Sequence, residues 1–477
     1  MTELLAGRLR EVLPDEAVIT DPVRLRTYEC DGLTYHRATP GVVVLPETAE
    51  QVAAVVRLCQ EFRVPFVARG SGTGLSGGAL PRSDGVLIVT SRMRRILSVD
   101  LAARRAVVEP GVTNLAITEA VRDAGYYYAP DPSSQQICSI GGNIAENSGG
   151  AHCLKYGFTV NHVLALELVT PDGDIVELSA MDAGYDLLGA FIGSEGTLGI
   201  ATKITVRLSR APAAVTTMLA AFTTIEGGGR AVSAIIGAGI VPAAIEMMDA
   251  LAIEAAEAAV RCEYPAGAGA VLVVELDGPE AEVEAQFALV DRICREAGAF
   301  EIRVAASAEE RQAIWKGRKS AFAAVGRISP AYIVQDGVVP RTALPDVLAG
   351  IDRLQEEFGI RVANVFHAGD GNLHPLVLFD DAVEGEGERA ELVSGRILDL
   401  CIEHGGSITG EHGVGVDKAR YMPRMFTDED LDTMQLVRCA FDPRYLSNPG
   451  KVFPTPRLCG EVPQVRKGPH PHEAELF

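Results

Sequence analysis

The feature that most restricts this chain is a set of four glycine-rich segments, all before residue 201. The first, Val67-Ala-Arg-Gly-Ser-Gly-Thr-Gly-Leu-Ser-Gly-Gly-Ala, contains G-x-G-x-x-G at Gly72, Gly74 and Gly77. In a dinucleotide-binding Rossmann unit that fingerprint opens a helix whose N-terminus holds a pyrophosphate. Here Leu80-Pro81 and another apolar run at residues 86–90 follow, with no amphipathic helix between. The Rossmann reading fails on that context. What remains is a row of backbone N–H groups with no side chains in the way, the makings of an anion-binding nest. The other three segments are Pro130-Asp-Pro-Ser-Ser, Gly141-Gly-Asn-Ile-Ala-Glu-Asn-Ser-Gly-Gly and Gly193-Ser-Glu-Gly-Thr-Leu-Gly-Ile. Each alone reads as a turn. Four in one region with few flanking helices predict a single extended ligand lying across several loops.

Around these loops the first third alternates short apolar runs with one amphipathic stretch. Residues 42–45 read as a buried strand. Thr48 reads as a helix N-cap, with Gln51 completing a capping box. Val52, Val55, Val56 and Cys59 give that helix its apolar face. A boundary falls at Ser209-Arg-Ala-Pro-Ala-Ala. Beyond it come Ala-rich helices at residues 251–262 and 281–297, between strands at 270–276 and 301–305. That order predicts a separate α+β unit on an antiparallel sheet. At 477 residues the chain exceeds what one core serves. The expected division is residues 1–210, 211–425, a return at 426–454 and a loosely ordered tail at 455–477.

A net charge of −21 argues against a nucleic-acid partner, which needs a basic face. Nine cysteines are scattered with no C-x-x-C pair. Neither a disulfide framework nor a thiolate cluster site is therefore expected, and a reducing cytoplasm fits. Met1-Thr-Glu-Leu-Leu-Ala lacks a signal-peptide pattern, and the longest uncharged stretch, residues 231–245, is too short to span a bilayer. Membrane contact is expected to be peripheral at most.

The four segments, in this order, resemble the flavin-binding domain of the vanillyl-alcohol oxidase / p-cresol methylhydroxylase superfamily. The resemblance implies a two-subdomain FAD-binding domain. In it Arg69, Gly70, Ser71, Gly72, Thr73, Gly74 and Ser76 wrap the pyrophosphate. Pro130, Asp131, Ser134, Gly141, Gly142, Asn143, Ala145, Asn147, Gly149, Gly150, Glu195, Gly196, Gly199 and Ile200 then line the rest of the cofactor. Some relatives attach FAD through a His or Cys in the pyrophosphate loop. Residues 67–80 contain neither, so dissociable FAD is expected, with His152 and Cys153 the nearest candidates for attachment.

A second constellation lies at Asn364-Val-Phe-His-Ala-Gly-Asp-Gly-Asn-Leu-His-Pro375. Asp-Gly is a strong two-residue hairpin signal. With Asp370-Gly371 at the turn, His367 faces His374, and opposed residues on one face have Cβ atoms roughly 5 Å apart. Two imidazoles so placed can share a divalent metal. Thr409-Gly-Glu-His-Gly-Val-Gly offers Glu411 as third ligand, with Asp370 the alternative, and His412 as a base with an ordinary pKa near 6.5.

Both segments resemble the D-lactate / D-2-hydroxyglutarate / glycolate dehydrogenase branch of the same superfamily, most closely its glycolate dehydrogenase flavin subunits. The similarity runs from Tyr28-Glu-Cys-Asp-Gly-Leu to Asn448-Pro-Gly-Lys451, where the chain returns to the flavin domain and Asn448 joins the cofactor-binding set. It implies metal ligands His367, His374 and Glu411, base His412, and Arg318 on the substrate carboxylate. The metal is open among zinc, manganese and iron. The implied reaction is metal-assisted deprotonation of a short 2-hydroxy acid with hydride transfer to flavin N5, glycolate giving glyoxylate, or D-lactate giving pyruvate. Pro375 and Leu376 after His374 favour a monocarboxylate. Implied partners are an iron–sulfur subunit and a second flavin-domain-like subunit.

Overall fold

The computed structural model describes residues 2–454; the expected loose tail lies outside that range. The fold is α+β with three main sheets, each built where the apolar runs fall. Val42–Val44, Val86–Val89 and Phe66–Arg69 form a parallel core, edged antiparallel by Val18–Ile19. The helix Ala49–Phe62 packs its Val52, Val55, Val56 and Cys59 face into that core. Thr48 accepts the Gln51 N–H as expected. The return bond differs, because Gln51 Oε1 accepts from Glu47, one residue ahead of the cap.

Residues 70–85 contain no helix between Phe66–Arg69 and Val86–Val89, so the first glycine segment connects parallel strands by loop alone. A five-stranded antiparallel sheet follows, ordered Ile96–Asp100, Arg105–Val108, Ile200–Arg207, Val163–Val169, Ile175–Ser179. One expectation fails here. The Gly/Asn segment after Ile140 is a helix, Ile140–Glu146, and not a loop. Ser139 caps it by accepting the Gly142 N–H, and Asn147 ends it in a left-handed conformation.

The third sheet is antiparallel and begins at Ala299–Val304, Ala214–Phe222, Ala270–Gly278, Ala244–Asp249 and Val362–His367. Its inner strands are buried on both faces and read as continuous apolar runs, whereas the edge strand Ala299–Val304 is largely exposed. Helices Ile225–Gly237, Glu280–Glu296, Leu344–Phe358 and Glu386–Glu403 pack into one core. Ala250–Val260 and Ala308–Val325 pack into the other. The chain end returns to the first sheet, where Phe66 donates to Leu446 O and Asn448 donates to Phe66 O.

The two halves are pinned by a polar seam. His152 bridges Asp131 (2.8 Å) and Glu275 (3.2 Å), and Glu275 also accepts from Thr217 and Trp315. Beside it Asp277 takes Lys155 and Tyr156. Burial alone would lower the His152 pKa, but Asp131 and Glu275 outweigh it and hold it near 10. A folded pKa raised from 6.5 contributes stability fully present below 6.5 and lost as pH rises through about 10. Removing the imidazole leaves two buried carboxylates facing each other. His152→Gln is therefore expected to cost about 3 kcal/mol at pH 7 and to flatten the decline of Tm between pH 7 and 10. Thermal melts across that range check both.

Among the described residues no helix is long and apolar enough to cross a membrane. Among the described residues Cys30, Cys59, Cys138, Cys153, Cys262, Cys294 and Cys401 are free thiols.

Candidate active site

The glycine segments and the histidines meet in one cavity of about 510 Å³. Its wall includes Arg69, Gly70, Ser71, Gly72, Thr73, Gly74, Ser134, Gly141, Gly142, Asn143, Ala145, Gly149, Glu195, Gly196, Gly199 and Ile200 from one side, and His374, Glu411 and His412 from the other. Gly149 shows how close the two sets come. A Cβ there would stand 2.5 Å from Glu411 Oε2, so the segment must carry no side chain.

Six residues expected on the cofactor stand behind the wall. The Ser76 carbonyl accepts the Val416 and Asp417 N–H groups, and the Pro130 carbonyl accepts from Asn114. Asp131 belongs to the His152 seam, Asn147 bonds Val160, and Gly150 packs on Asp131. Asn448 donates to Gly78 O and Glu195 O, tying two glycine segments together.

The sequence reading missed several wall residues. Cys138 lines the cavity, while His152 and Cys153 do not. Its thiol contacts Asn143, and burial raises its pKa. Glu146 also faces inward beside Glu195, and burial followed by repulsion from Glu195 pushes its pKa well above the usual range.

The hairpin register differs from expectation. His367 pairs with Asn372 and Asn364 with Pro375, so His374 lies opposite Val365. The turn spans four residues because only Gly371 takes a positive φ (82°), whereas a two-residue type I′ turn needs two such residues. Asp370 Oδ1 instead accepts the Asn372 N–H. The slip is two residues, which preserves the face. His367 and His374 become diagonal neighbours, ring centroids 5.1 Å apart, and Glu411 Oε1 lies 3.2 Å and 3.1 Å from their Nε2 atoms.

Glu246, directly across the sheet from His367, takes its Nδ1 at 2.7 Å. With a metal bound, that hydrogen bond would leave Nε2 as the ligating nitrogen facing Glu411. The two imidazole nitrogens and the carboxylate oxygen all lie within 4.8 Å of one another, a spacing that could hold a metal ion. The set suits a divalent metal. Asp336, His374 and His412 make a second such group, while Asp370 belongs to neither among the described residues.

His412 stacks on His374 at 4.7 Å and 8°. Its pKa is not the ordinary one. Burial lowers it to about 4, the nearby His374 adding to the shift and Asp336 opposing it. Asp336, buried and held charged, accepts the backbone N–H groups of Gly410, Glu411 and His412. Neither Asp336 nor Glu246 had a sequence signal, since isolated acids in apolar strands carry no motif.

Arg318 is buried and does not line the cavity. Its Nη2 lies 2.7 Å from Glu246 Oε2, and the Phe322 ring covers its guanidinium at 5.9 Å. Nε and Nη2 have no aligned hydrogen-bond acceptor. The next residue, Lys319, is on the wall, with Phe322, Tyr332 and Val334. Pro375 and Leu376 are not, so the argument they offered about substrate size passes to these residues.

A flavin-sized cleft on this α+β frame, closed at one end by a His/His/Glu cluster, defines a class, and comparison with known proteins agrees. Residues 40–179 match the FAD binding domain family and residues 211–452 the FAD linked oxidases, C-terminal domain. The chain belongs to the FAD-linked oxidases of the vanillyl-alcohol oxidase / p-cresol methylhydroxylase superfamily and is a FAD-dependent oxidoreductase. It is 51% identical over 471 residues to glycolate oxidase subunit GlcD of Escherichia coli (strain K12), covering 98% of this chain and 94% of that protein. It is 31% identical to a D-lactate dehydrogenase of Anaerostipes hadrus, covering 95% and 98%. A crystal structure of p-cresol methylhydroxylase with substrate bound shares the fold, with TM-score 0.78, 16% identity and 94% and 96% coverage.

Proposed function

We propose that this chain oxidises a short 2-hydroxy acid, glycolate to glyoxylate, as the flavin-bearing subunit of a larger assembly. The observation that carries the reading is the single cavity joining the glycine segments to His374, Glu411 and His412. FAD, held by residues 69–74, 134–149 and 195–200, supplies a hydride acceptor. A divalent metal on His367, His374 and Glu411 (zinc, manganese or iron) supplies a Lewis acid that acidifies a bound hydroxyl.

The chain's own groups do the rest. His412 is neutral at pH 7 and open to accept the substrate's hydroxyl proton on a ring nitrogen. Arg318, ion-paired to Glu246 and covered by Phe322, adds positive charge behind the wall, and Lys319 offers a cation on the wall itself for the substrate carboxylate. Phe322 and Val334 give the wall beside Lys319 an apolar surface that favours a short monocarboxylate. The raised Cys138 pKa and its contact with Asn143 support dissociable FAD. Electrons then pass to an iron–sulfur subunit and a second flavin-domain-like subunit on the cytoplasmic side.

The 31% identity to a D-lactate dehydrogenase supports a second reading, D-lactate to pyruvate. Turnover of both acids with a dye acceptor separates them. We expect kcat/KM for glycolate to exceed that for D-lactate by about tenfold, a 1.4 kcal/mol difference in the transition state. A preference for D-lactate overturns the glycolate assignment.

A further inference from the structure

The loop that carries Glu411 and His412 is hung between two buried carboxylates, one from each half of the molecule. From the sheet side, Asp336 Oδ2 accepts the N–H groups of Gly410 (2.9 Å), Glu411 (3.1 Å) and His412 (2.9 Å). The Gly413 N–H goes to Thr409 Oγ1 at 3.0 Å, and Thr409 in turn donates to Asp336. From the flavin side, Glu195 Oε1 accepts the Val414 N–H at 2.6 Å and Oε2 the Gly415 N–H at 2.7 Å. Every backbone N–H from Gly410 to Gly415 is thus committed to holding the loop. A side chain at Gly413, whose φ is 85°, would collide with the Glu146 and Glu195 carboxylates, so the loop packs closely against both.

Glu195 is also part of the cavity wall, between Ser194 and Gly196. Its own backbone is held in the left-handed region at φ 51°. Its N–H donates to Ala145 O (2.8 Å), and its carbonyl accepts Asn448 Nδ2 (2.6 Å). Ala145 lines the same cavity. One residue therefore has its main chain built into the cofactor wall and its carboxylate closed on the loop bearing a metal ligand.

We propose that Glu195 is a positioning residue that couples the two sites, so that FAD in the cavity raises the affinity of the His367/His374/Glu411 cluster for its metal. This rests on the metal reading proposed above. A cofactor that orders residues 193–200 fixes the Glu195 carboxylate, and the carboxylate fixes the loop from which Glu411 reaches the histidines. Linkage then requires the converse, metal tightening FAD by the same factor.

The test is Zn²⁺ affinity of the full chain, with FAD bound and with FAD removed, in the wild type and in Glu195→Gln. Zn²⁺ is followed by competition with a chromophoric chelator. In the wild type, removing FAD should weaken Zn²⁺ binding by about 5-fold or more, the usual scale of coupling between sites. In Glu195→Gln the FAD-bound protein should bind Zn²⁺ as weakly as the flavin-free wild type, and FAD should make no further difference. A role in stability alone would lower Tm without changing the FAD-dependence. Wild-type Zn²⁺ affinity indifferent to FAD overturns the coupling, even should Glu195→Gln not fold. A Glu195→Gln protein that keeps the full FAD effect also overturns it, leaving the pathway to charge attraction across the cavity. A wild type that binds no Zn²⁺, or binds it equally after His374→Ala, overturns the metal reading together with the coupling.

Discussion

His412→Ala is expected to lower kcat on the 2-hydroxy acid by about 10²–10⁴, the usual worth of a positioned general base, while the protein keeps its flavin. Three features support the proposal that this ring is the base. It lines the cavity beside His374 and Glu411, it stacks flat on His374, and burial keeps it neutral at pH 7. Its backbone N–H on Asp336 fixes the ring's origin independently of the side chain, so truncation should leave the loop in place. Stopped-flow reduction of the bound flavin reads the chemical step directly. Flavin reduction at the wild-type rate in His412→Ala, with full flavin absorbance, would remove His412 from the mechanism.

The second large effect is expected from His374→Ala, which takes away a proposed metal ligand whose Nε2 lies 3.1 Å from Glu411 Oε1. Bound metal should fall to background, and kcat/KM should drop by about 10³. That drop corresponds to the several kcal/mol of charge stabilisation a Lewis acid supplies. A chelator should produce the same loss in the wild type, reversed by adding metal, whereas metal should not restore His374→Ala. Metal content by elemental analysis and the flavin spectrum separate the two sites. Unchanged turnover after complete metal removal would rule out the Lewis-acid role. His367 should tolerate truncation no better, because Glu246 holds its Nδ1 and so aims its Nε2.

Much of this site was legible before any coordinates. The glycine segments announce themselves because only a backbone free of side chains can line a ligand so closely, as Gly149 against Glu411 illustrates. The missing helix after Gly77 excluded the Rossmann reading, and residues 70–85 are indeed non-helical. His367 and His374 could be put on one face by counting outwards from the Asp-Gly turn. Their register could not. It depended on Asp370 capping Asn372 through its side chain, which replaced the expected tight turn by a four-residue one. The helix Ile140–Glu146 was hidden by its own glycines, since the Ser139 cap outweighs their low propensity only in context.

What the sequence determined by itself was the inventory and its local geometry. That inventory comprises glycine backbone for a cofactor, two histidines on one face of a hairpin, and a Glu-His pair in a glycine-flanked loop. These follow from periodicity and from which residues can adopt which backbone conformations, both short-range matters. The tertiary structure alone decided which acids serve them. Asp336, Glu246 and Glu195 lie 76, 121 and 219 residues from the groups they hold, namely His412, His367 and Val414. A buried carboxylate is stable only when its partners arrive from elsewhere in the fold, and those partners leave no spacing in the chain to read. The same long-range packing put Lys319 on the wall and lowered the pKa of His412.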